Sequence, residues 1–178
     1  MGTARDPKPA KYFVALLSSD AKLLTAVEDD LSAVLSPIDL RSEVVPWIAS
    51  NFYAKEMGAA LLRRYLSFSI LQSPESLAAI KLKAQRIEDK YRTAASSGRC
   101  VNLDPGYLDA YKVALASTKN AGQRIYLRDG IYGEATLLYH DAGFHGLEYT
   151  YRDYLWPETL AFFTELRALY VAQLRQFA

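Results

Sequence analysis

Side chains that could bind or react with a small molecule are concentrated between residues 99 and 119. This stretch is otherwise apolar, and its polar members include Arg99, Asn102, Asp104, Lys112, Thr118 and Lys119. It also contains Asp104-Pro-Gly106, a sequence that predicts a turn. Residues two apart in a β-strand share a face, so Asn102 and Asp104 should point away from Val101 and Leu103. Cationic side chains bind anion oxygens, and carboxylates bind hard metal ions or accept protons. The pattern predicts a polar sheet face that could hold an anionic ligand.

A second group of polar side chains lies on a hairpin that the sequence predicts further along the chain. The pair Asp129-Gly130 is typical of a two-residue turn, but the apolar pattern favours a three-residue loop from Asp129 to Ile131. In that register Tyr126 pairs with Glu134, and Arg124 lies on the same face. The hairpin therefore adds a cation and a carboxylate to the candidate site.

In the strand that follows Asp104, alternation predicts that Lys112, Ala114, Ala116 and Thr118 share a face. If this face and that of Asn102 and Asp104 coincide with the face of the hairpin, they form one site. Asp104 and Glu134 are then the candidate catalytic residues, as a general base or as ligands of a divalent metal such as magnesium. The residues assigned to ligand binding, with Lys112, Lys119 and Arg124 as the anion clamp, are Asn102, Lys112, Thr118, Lys119 and Arg124. The alternative is a solvated sheet face whose cross-strand ion pairs contribute little stability.

Composition limits the other classes of function. The formal net charge is +1 and there is one cysteine among 178 residues, so an intrachain disulfide is excluded and a reducing cytoplasm is expected. We expect no membrane partner, because no apolar run approaches the ~20 residues of a membrane span. The near-neutral charge does not favour nucleic acid. The 13 tyrosines suit half-buried sheets, pockets and interfaces.

The familiar catalytic and nucleotide-binding motifs are missing from the sequence. It holds no Gly-x-Ser-x-Gly elbow, no P-loop and no Gly-x-Gly-x-x-Gly turn. The two histidines lie in His140-Asp-Ala-Gly-Phe-His145, whose spacing matches no metal motif and predicts a surface loop. The aromatic stretch Tyr149-Thr-Tyr-Arg-Asp-Tyr154 is expected to pack on the last helix, although it could stack on a base or a partner.

The elements that must position these residues follow from periodicity. Residues 1–10 are expected to form a flexible tail and residues 11–178 one domain. Helical stripes predict helices over 21–35, from Ser73 to before Ala94, and over 157–176, with a flexible connection at 94–98. Alternation from Leu62 to Leu71 predicts a strand with Leu66 on one face and Tyr65 on the other. The order of strands and helices predicts an α+β fold with a mainly antiparallel sheet of about five to seven strands. Its ferredoxin-like βαββαβ beginning is extended by further strands and a C-terminal helix.

Several motifs in one order give the chain a family resemblance over roughly residues 8 to 175. They are Phe52-Tyr-x-x-Glu-Met-Gly58, Val101-Asn-Leu-Asp-Pro-Gly-Tyr107, Leu115-Ala-Ser-Thr-Lys-Asn120, Arg124-Ile-Tyr-Leu127, Gly130-Ile-Tyr-x-Glu-x-Thr-Leu137 and Tyr149-Thr-Tyr-x-Asp-Tyr154. The sequence resembles the DUF4416 family of bacterial proteins, which brings no established activity. The resemblance implies that Glu56 and the residues Asn102, Asp104, Lys119, Arg124 and Glu134 sit in family motifs. Glu56 joins the candidate ligand-binding residues for this reason.

Two functions remain open from the sequence. The first is a cytoplasmic protein that binds a small phosphorylated or carboxylated ligand at the polar face. The second is a non-catalytic interaction module that docks a protein or forms a homodimer through a tyrosine-rich surface. An enclosed pocket around the polar residues would favour the first.

Overall fold

An antiparallel sheet of nine strands in the described residues forms the central layer, and helices cover both of its faces. The computed structural model describes residues 2–92 and 98–176. The strands are β1 (Lys11–Ser18), β2 (Ile38–Arg41), β3 (Val45–Pro46), β4 (Leu62–Phe68), β5 (Val101–Leu108), β6 (Lys112–Ser117), β7 (Ile125–Arg128), β8 (Ile131–His140) and β9 (Gly143–Gly146). The helices are α1 (Ala21–Val34), α2 (Ala54–Met57), α3 (Leu77–Lys90) and α4 (Pro157–Leu174), with 3-10 turns at Pro74–Ser76 and Arg152–Leu155.

The strand order is β2-β4-β1-β5-β6-β8-β7, with β3 paired to β4 and β9 paired to β8. Every pair of named strands is antiparallel, so the predicted α+β class is confirmed. The sheet has more strands than the five to seven expected, because the short β3 and β9 add to it. The ferredoxin-like nature of the opening βαββαβ unit stays a prediction. The proposed flexible connection at 94–98 lies, apart from Gly98, outside the described residues.

The two faces of β1 explain why this strand is apolar throughout. All eight of its residues are buried. Phe13 and Ala15 pack in the cluster that includes Phe163 of α4, whereas Val14 and Leu16 pack in the cluster that α1 and α3 complete. A strand covered on both faces needs apolar side chains at successive positions.

Strand β5 differs from the sequence-based expectation of an Asp-Pro-Gly turn. Pro105 and Gly106 lie inside the strand, paired with Val14 and Phe13 of β1. A Cβ on Gly106 would lie 2.5 Å from the Ala114 carbonyl oxygen and 2.6 Å from Phe13 Cζ. The glycine is therefore required by close strand packing rather than by a turn.

The β7–β8 hairpin turns through two residues, so the predicted three-residue loop is wrong. Arg128 pairs with Ile131 across Asp129 and Gly130, whose φ angles are 53° and 75°. Left-handed backbone at both positions is the turn type that suits a twisted hairpin. A bulge between Tyr126 and Arg128 takes up the extra residue, which puts Tyr126 opposite Tyr132 instead of Glu134.

The segment with the two histidines forms a second hairpin instead of a loop. His140 ends β8 and pairs with Gly143 of β9. The rings of His140 and His145 stack with centroids 3.9 Å apart on the exposed surface. From the neighbouring aromatic stretch, Tyr154 packs against Phe163 of α4 as expected.

Candidate functional site

A cavity of about 470 Å³ lies on the α4 side of the sheet, where β5 and β6 separate. Five cationic side chains line it: Arg63, Lys81, Arg99, Lys119 and Arg124. Its acidic side chains are Asp104, Glu134 and Asp153, and its aromatic ones are Trp47, Phe52, Tyr53, Tyr151 and Tyr154. The volume falls within the range typical of small-molecule sites.

Pro105 explains why the two strands separate. Pairing between β5 and β6 covers Gly106–Leu108 and stops at Pro105, which has no N–H to donate to β6. Before it, the Leu103 N–H donates to Glu88 at 2.6 Å and the Leu103 carbonyl accepts from Lys81 at 2.8 Å. Side chains of α3 thus replace β6 as partners of this edge, and the sheet opens into the cavity.

The register of β1 with its two neighbours places the polar residues in rows. Arg63 of β4 and Asn102 of β5 flank Leu17, and in the next row Tyr65 and Asp104 flank Ala15. Opposed residues of antiparallel strands project from the same face. Arg63, Asn102, Tyr65 and Asp104 therefore share one face of the sheet.

Asp104 is held as a carboxylate inside the cavity wall. Its Oδ1 accepts from Lys81 Nζ at 2.9 Å and its Oδ2 accepts from the Asn102 amide at 2.6 Å. Burial acts to raise the pKa of Asp104, but the nearby cations Lys81 and Arg63, together with these hydrogen bonds, outweigh burial and lower it. Each carboxylate oxygen therefore accepts a hydrogen bond from a neighbouring side chain.

Arg63 forms the innermost cationic group and is incompletely paired. Its residue is 5% exposed, and Nη2 lies 2.8 Å from Asp153, which also accepts from Trp47 Nε1 at 2.9 Å. The Arg63 Nε and Nη1 atoms are buried and have no hydrogen-bond partner among the described residues. Buried donors without an acceptor are rare and costly, so a missing partner is expected there.

Arg124 and Glu134 form the second buried ion pair. The guanidinium reaches both carboxylate oxygens, at 3.1 and 3.2 Å, and donates to the Tyr151 hydroxyl at 2.6 Å. Gln123 donates to the same carboxylate at 3.0 Å. Lys119 lies at the mouth, with its ammonium 4.6 Å from the Phe52 ring centroid.

Glu56 stands behind the cavity and holds Arg99 in its wall. The carboxylate accepts from Arg99 Nε at 2.8 Å, Nη2 at 3.0 Å and the backbone N–H at 3.1 Å. These hydrogen bonds lower the pKa of Glu56 from 4.5 to about 2. Arg99 Nη1 donates in turn to Asn102 at 2.6 Å, so the side chains of Arg99 and Asn102 link Glu56 to Asp104 through hydrogen bonds.

The structure brings together six of the eight residues that the sequence assigned to the site. They are Asn102, Asp104, Thr118, Lys119, Arg124 and Glu134. Glu56 is the outer partner described above. Lys112 lies elsewhere, paired with Asp109 beside a separate cavity of about 350 Å³.

The position of Lys112 outside the cavity shows that the face predicted for β6 is wrong. Leu115 and Ala116 both line the cavity, but they belong to different clusters. Leu115 lies in the cluster that includes Phe163 of α4, whereas Ala116 lies in the cluster with Leu77 and Ile80 of α3. The even-numbered β6 residues thus lie on the α3 side, opposite to the expectation. Thr118 reaches the cavity because it follows the end of the strand.

The sequence did not identify Arg63, Lys81 or Asp153 as site residues. Alternation in β4 does put Arg63 on the opposite face from Leu62. This is a weak signal, because it gives the face of the sheet on which Arg63 lies but not its partners. No local spacing connects Arg63 to Asp153, because the two are brought together only by the folded chain.

The donor set does not form a metal centre. In the ranges 2–92 and 98–176, no three His, Cys, Asp or Glu side chains are grouped to hold a metal ion.

No helix in the same part of the chain is long and apolar enough to cross a membrane.

Comparison with known proteins agrees with the motif resemblance. A search of curated proteins gave no match. The family model described as "Domain of unknown function (DUF4416)" matches residues 8–170, nearly the whole chain, and the protein therefore belongs to the DUF4416 family.

Proposed function

We propose that the protein binds a small ligand with a carboxylate or phosphate group in the cavity between β5 and β6. The observation that carries this proposal is Arg63, whose buried Nε and Nη1 have no acceptor in the described part of the chain. An anionic oxygen is the partner that satisfies a guanidinium best. Lys119 and Arg124 provide further cationic charge nearer the mouth.

Tyrosine hydroxyls can complete the anion site as donors. Burial, aided by Asp104, raises the pKa of Tyr53 to about 12. Burial and Glu134 likewise raise the pKa of Tyr151. Both hydroxyls therefore keep their protons at neutral pH and remain able to donate to a ligand oxygen.

In this proposal Asp104 and Glu134 orient cations instead of binding magnesium. Each carboxylate already accepts hydrogen bonds on both oxygens. Such acceptors fix the positions of Lys81 and Arg124 before the ligand arrives, which reduces the entropy lost on binding. We place the protein in the cytoplasm, acting on a small molecule and not on nucleic acid.

A thermal-shift experiment tests the proposal with inorganic phosphate, sugar phosphates and acetate, each against chloride at equal ionic strength. A ligand at ~100 times its Kd adds about 2.7 kcal/mol, which raises the Tm by roughly 5–10 °C for a chain of this size. The shift should be lost in Arg63→Lys and reduced in Lys119→Ala.

Lys112→Ala is the matched control, because this lysine lies outside the cavity, and it should keep the full shift. The proposal is overturned if no anion raises the Tm of the cooperatively folded wild type. It is also overturned if Arg63→Lys and Lys119→Ala both respond as the wild type does.

A second candidate is an interaction module that docks or dimerises through β7. This strand lies at the edge of the sheet, so one side of its backbone is available for pairing with another strand. Its apolar side chains Ile125, Tyr126 and Leu127 are also exposed. Sedimentation velocity should then show a dimer that Ile125→Lys dissociates. A monomer at every concentration would exclude the homodimer.

A further inference from the structure

The cavity combines the anion site with a wall of aromatic rings. Trp47, Phe52 and Tyr53 come from the segment that precedes α2. Tyr154 lies in the 3-10 turn before α4, and Tyr151 directly precedes that turn. Two separate parts of the chain thus supply rings to one small space. An anion alone would need none of them.

The rings nearest the mouth are left uncovered by the protein. Phe52 is 67% exposed and Tyr151 is 46% exposed, although both line the cavity. Deeper in, Tyr53 packs against Trp47 with ring centroids 5.7 Å apart, so one part of the wall is already ordered. A ligand that covers this aromatic surface removes it from water, which contributes favourable free energy to binding.

The cations are placed to interact with ring faces as well as with anions. Arg99 Cζ lies 5.7 Å from the Tyr53 centroid, and Lys119 Nζ lies 4.6 Å from the Phe52 centroid. Arg63 lies 5.7 Å from the Trp47 centroid, so the innermost cation and the aromatic wall adjoin.

We propose, on the basis of the proposed function, that the ligand is an aryl carboxylate or aryl phosphate whose anionic group meets Arg63 and whose ring packs on Tyr53 and Phe52. An aromatic ring can make edge-to-face contacts with Tyr53 and Phe52 and cation–π interactions with the nearby cations. A saturated ring can make neither. The structure thus selects for ring type in addition to charge.

An NMR titration with matched compounds tests this inference. Phenyl phosphate, cyclohexyl phosphate and inorganic phosphate form one series, and benzoate, cyclohexanecarboxylate and acetate form the other. The Trp47 indole N–H is the local reporter, because it donates to the Asp153 carboxylate that also pairs with Arg63. In at least one of the two series, the aryl compound should bind about tenfold more tightly than its saturated counterpart. This ratio corresponds to ~1.4 kcal/mol from aromatic contacts.

Ring variants separate the aromatic contribution from the anion site. Phe52→Leu should reduce the aryl preference at least severalfold while leaving the Kd for the inorganic or aliphatic anion unchanged. Tyr53→Leu removes a proposed hydroxyl donor as well as a ring, so it is compared with Tyr53→Phe, which lacks the same hydroxyl but keeps the ring. Tyr53→Leu should lose the aryl preference that Tyr53→Phe retains. Phe52 is exposed, so its variant should fold if Tyr53→Leu does not. Tyr126→Leu, an exposed tyrosine on β7, is the control and should behave as the wild type.

The outcomes distinguish the two proposals. If the simple anions bind but aryl and saturated compounds bind equally, the aryl inference is wrong and the anion site stands. If the aryl preference survives in both ring variants, the assigned wall is wrong. If no anion in either series binds the folded wild type, the proposed function and this inference are both overturned.

Discussion

Arg63 is the residue whose environment most directly points to a ligand. It is buried between the Trp47 and Tyr65 rings and shares Asp153 with the Trp47 indole. Removing one partner of a buried pair generally costs more than the pair contributes, because the other charge is left uncompensated. Arg63 is therefore placed to stabilise both the fold and a bound anion.

Glu56 should make stability depend on pH in the acidic range. Its pKa in the folded protein is about 2 instead of 4.5, so its ionised form stabilises the fold above pH 4.5 and this contribution is lost as the pH falls toward 2. The side chain is 31% exposed, so solvent screens part of the effect. We expect Glu56→Gln to cost about 1 kcal/mol at neutral pH. Urea unfolding as a function of pH measures the difference, and a difference that persists undiminished at pH 2 would contradict it.

Lys81 should control the ionisation of Asp104. Lys81→Met removes the ammonium that counteracts burial, so the pKa of Asp104 should rise in a carboxyl-carbon NMR titration. Loss of the hydrogen bonds to Asp104 and the Leu103 carbonyl should also destabilise the protein by about 2 kcal/mol. Lys83→Met, on the exposed side of the same helix, is the control. An unchanged Asp104 titration in the Lys81 variant would refute the assignment.

At the scale of elements, β5 decides where the cavity forms. Its central residues Pro105 and Gly106 have opposite consequences for pairing with β6. Proline ends the hydrogen-bonded ladder and opens the sheet, whereas glycine allows β6 and Phe13 to approach closely just beyond the opening. The same two residues suggested a turn when only local sequence was considered.

Gly106→Ala tests this role of β5. The added Cβ would meet the Ala114 backbone oxygen at 2.5 Å, and backbone cannot move aside as a flexible side chain can. We expect a loss of about 2–3 kcal/mol in the free energy of unfolding. Gly122→Ala is the control, because nothing lies within 4 Å of its Cβ position. Chemical denaturation of both variants gives the comparison, and equal stabilities would contradict close packing at Gly106.

At the scale of the whole molecule, stability should decrease from the centre of the sheet to its edge. β1 pairs on both sides and is buried along its whole length, whereas β7 pairs with β8 alone and all four of its residues are exposed. Amides that open only on global unfolding exchange slowest. Hydrogen exchange should therefore protect β1 most and β7 least. Equal protection of the two strands would require that a partner covers β7.

Part of this architecture follows from local periodicity. The 3.6-residue stripe predicted α1, which the structure places at Ala21–Val34, and alternation in β4 correctly separated Leu66 from Tyr65. The crowding of charged residues between 102 and 134 also indicated where to look for a site. The β6 face and the β7–β8 register could not be obtained in this way, since a bulge or a one-residue shift reverses a face without changing composition.

Local sequence patterns establish the class of fold, the main helices and a set of polar residues of which six meet in one cavity. These features depend on neighbours a few positions away, where periodicity and capping act. The folded chain, in contrast, is needed to see that Lys112 lies outside the site and that Arg63, Lys81 and Asp153 belong to it. Their placement depends on strand register and on packing between distant segments, which residue spacing along the chain does not encode.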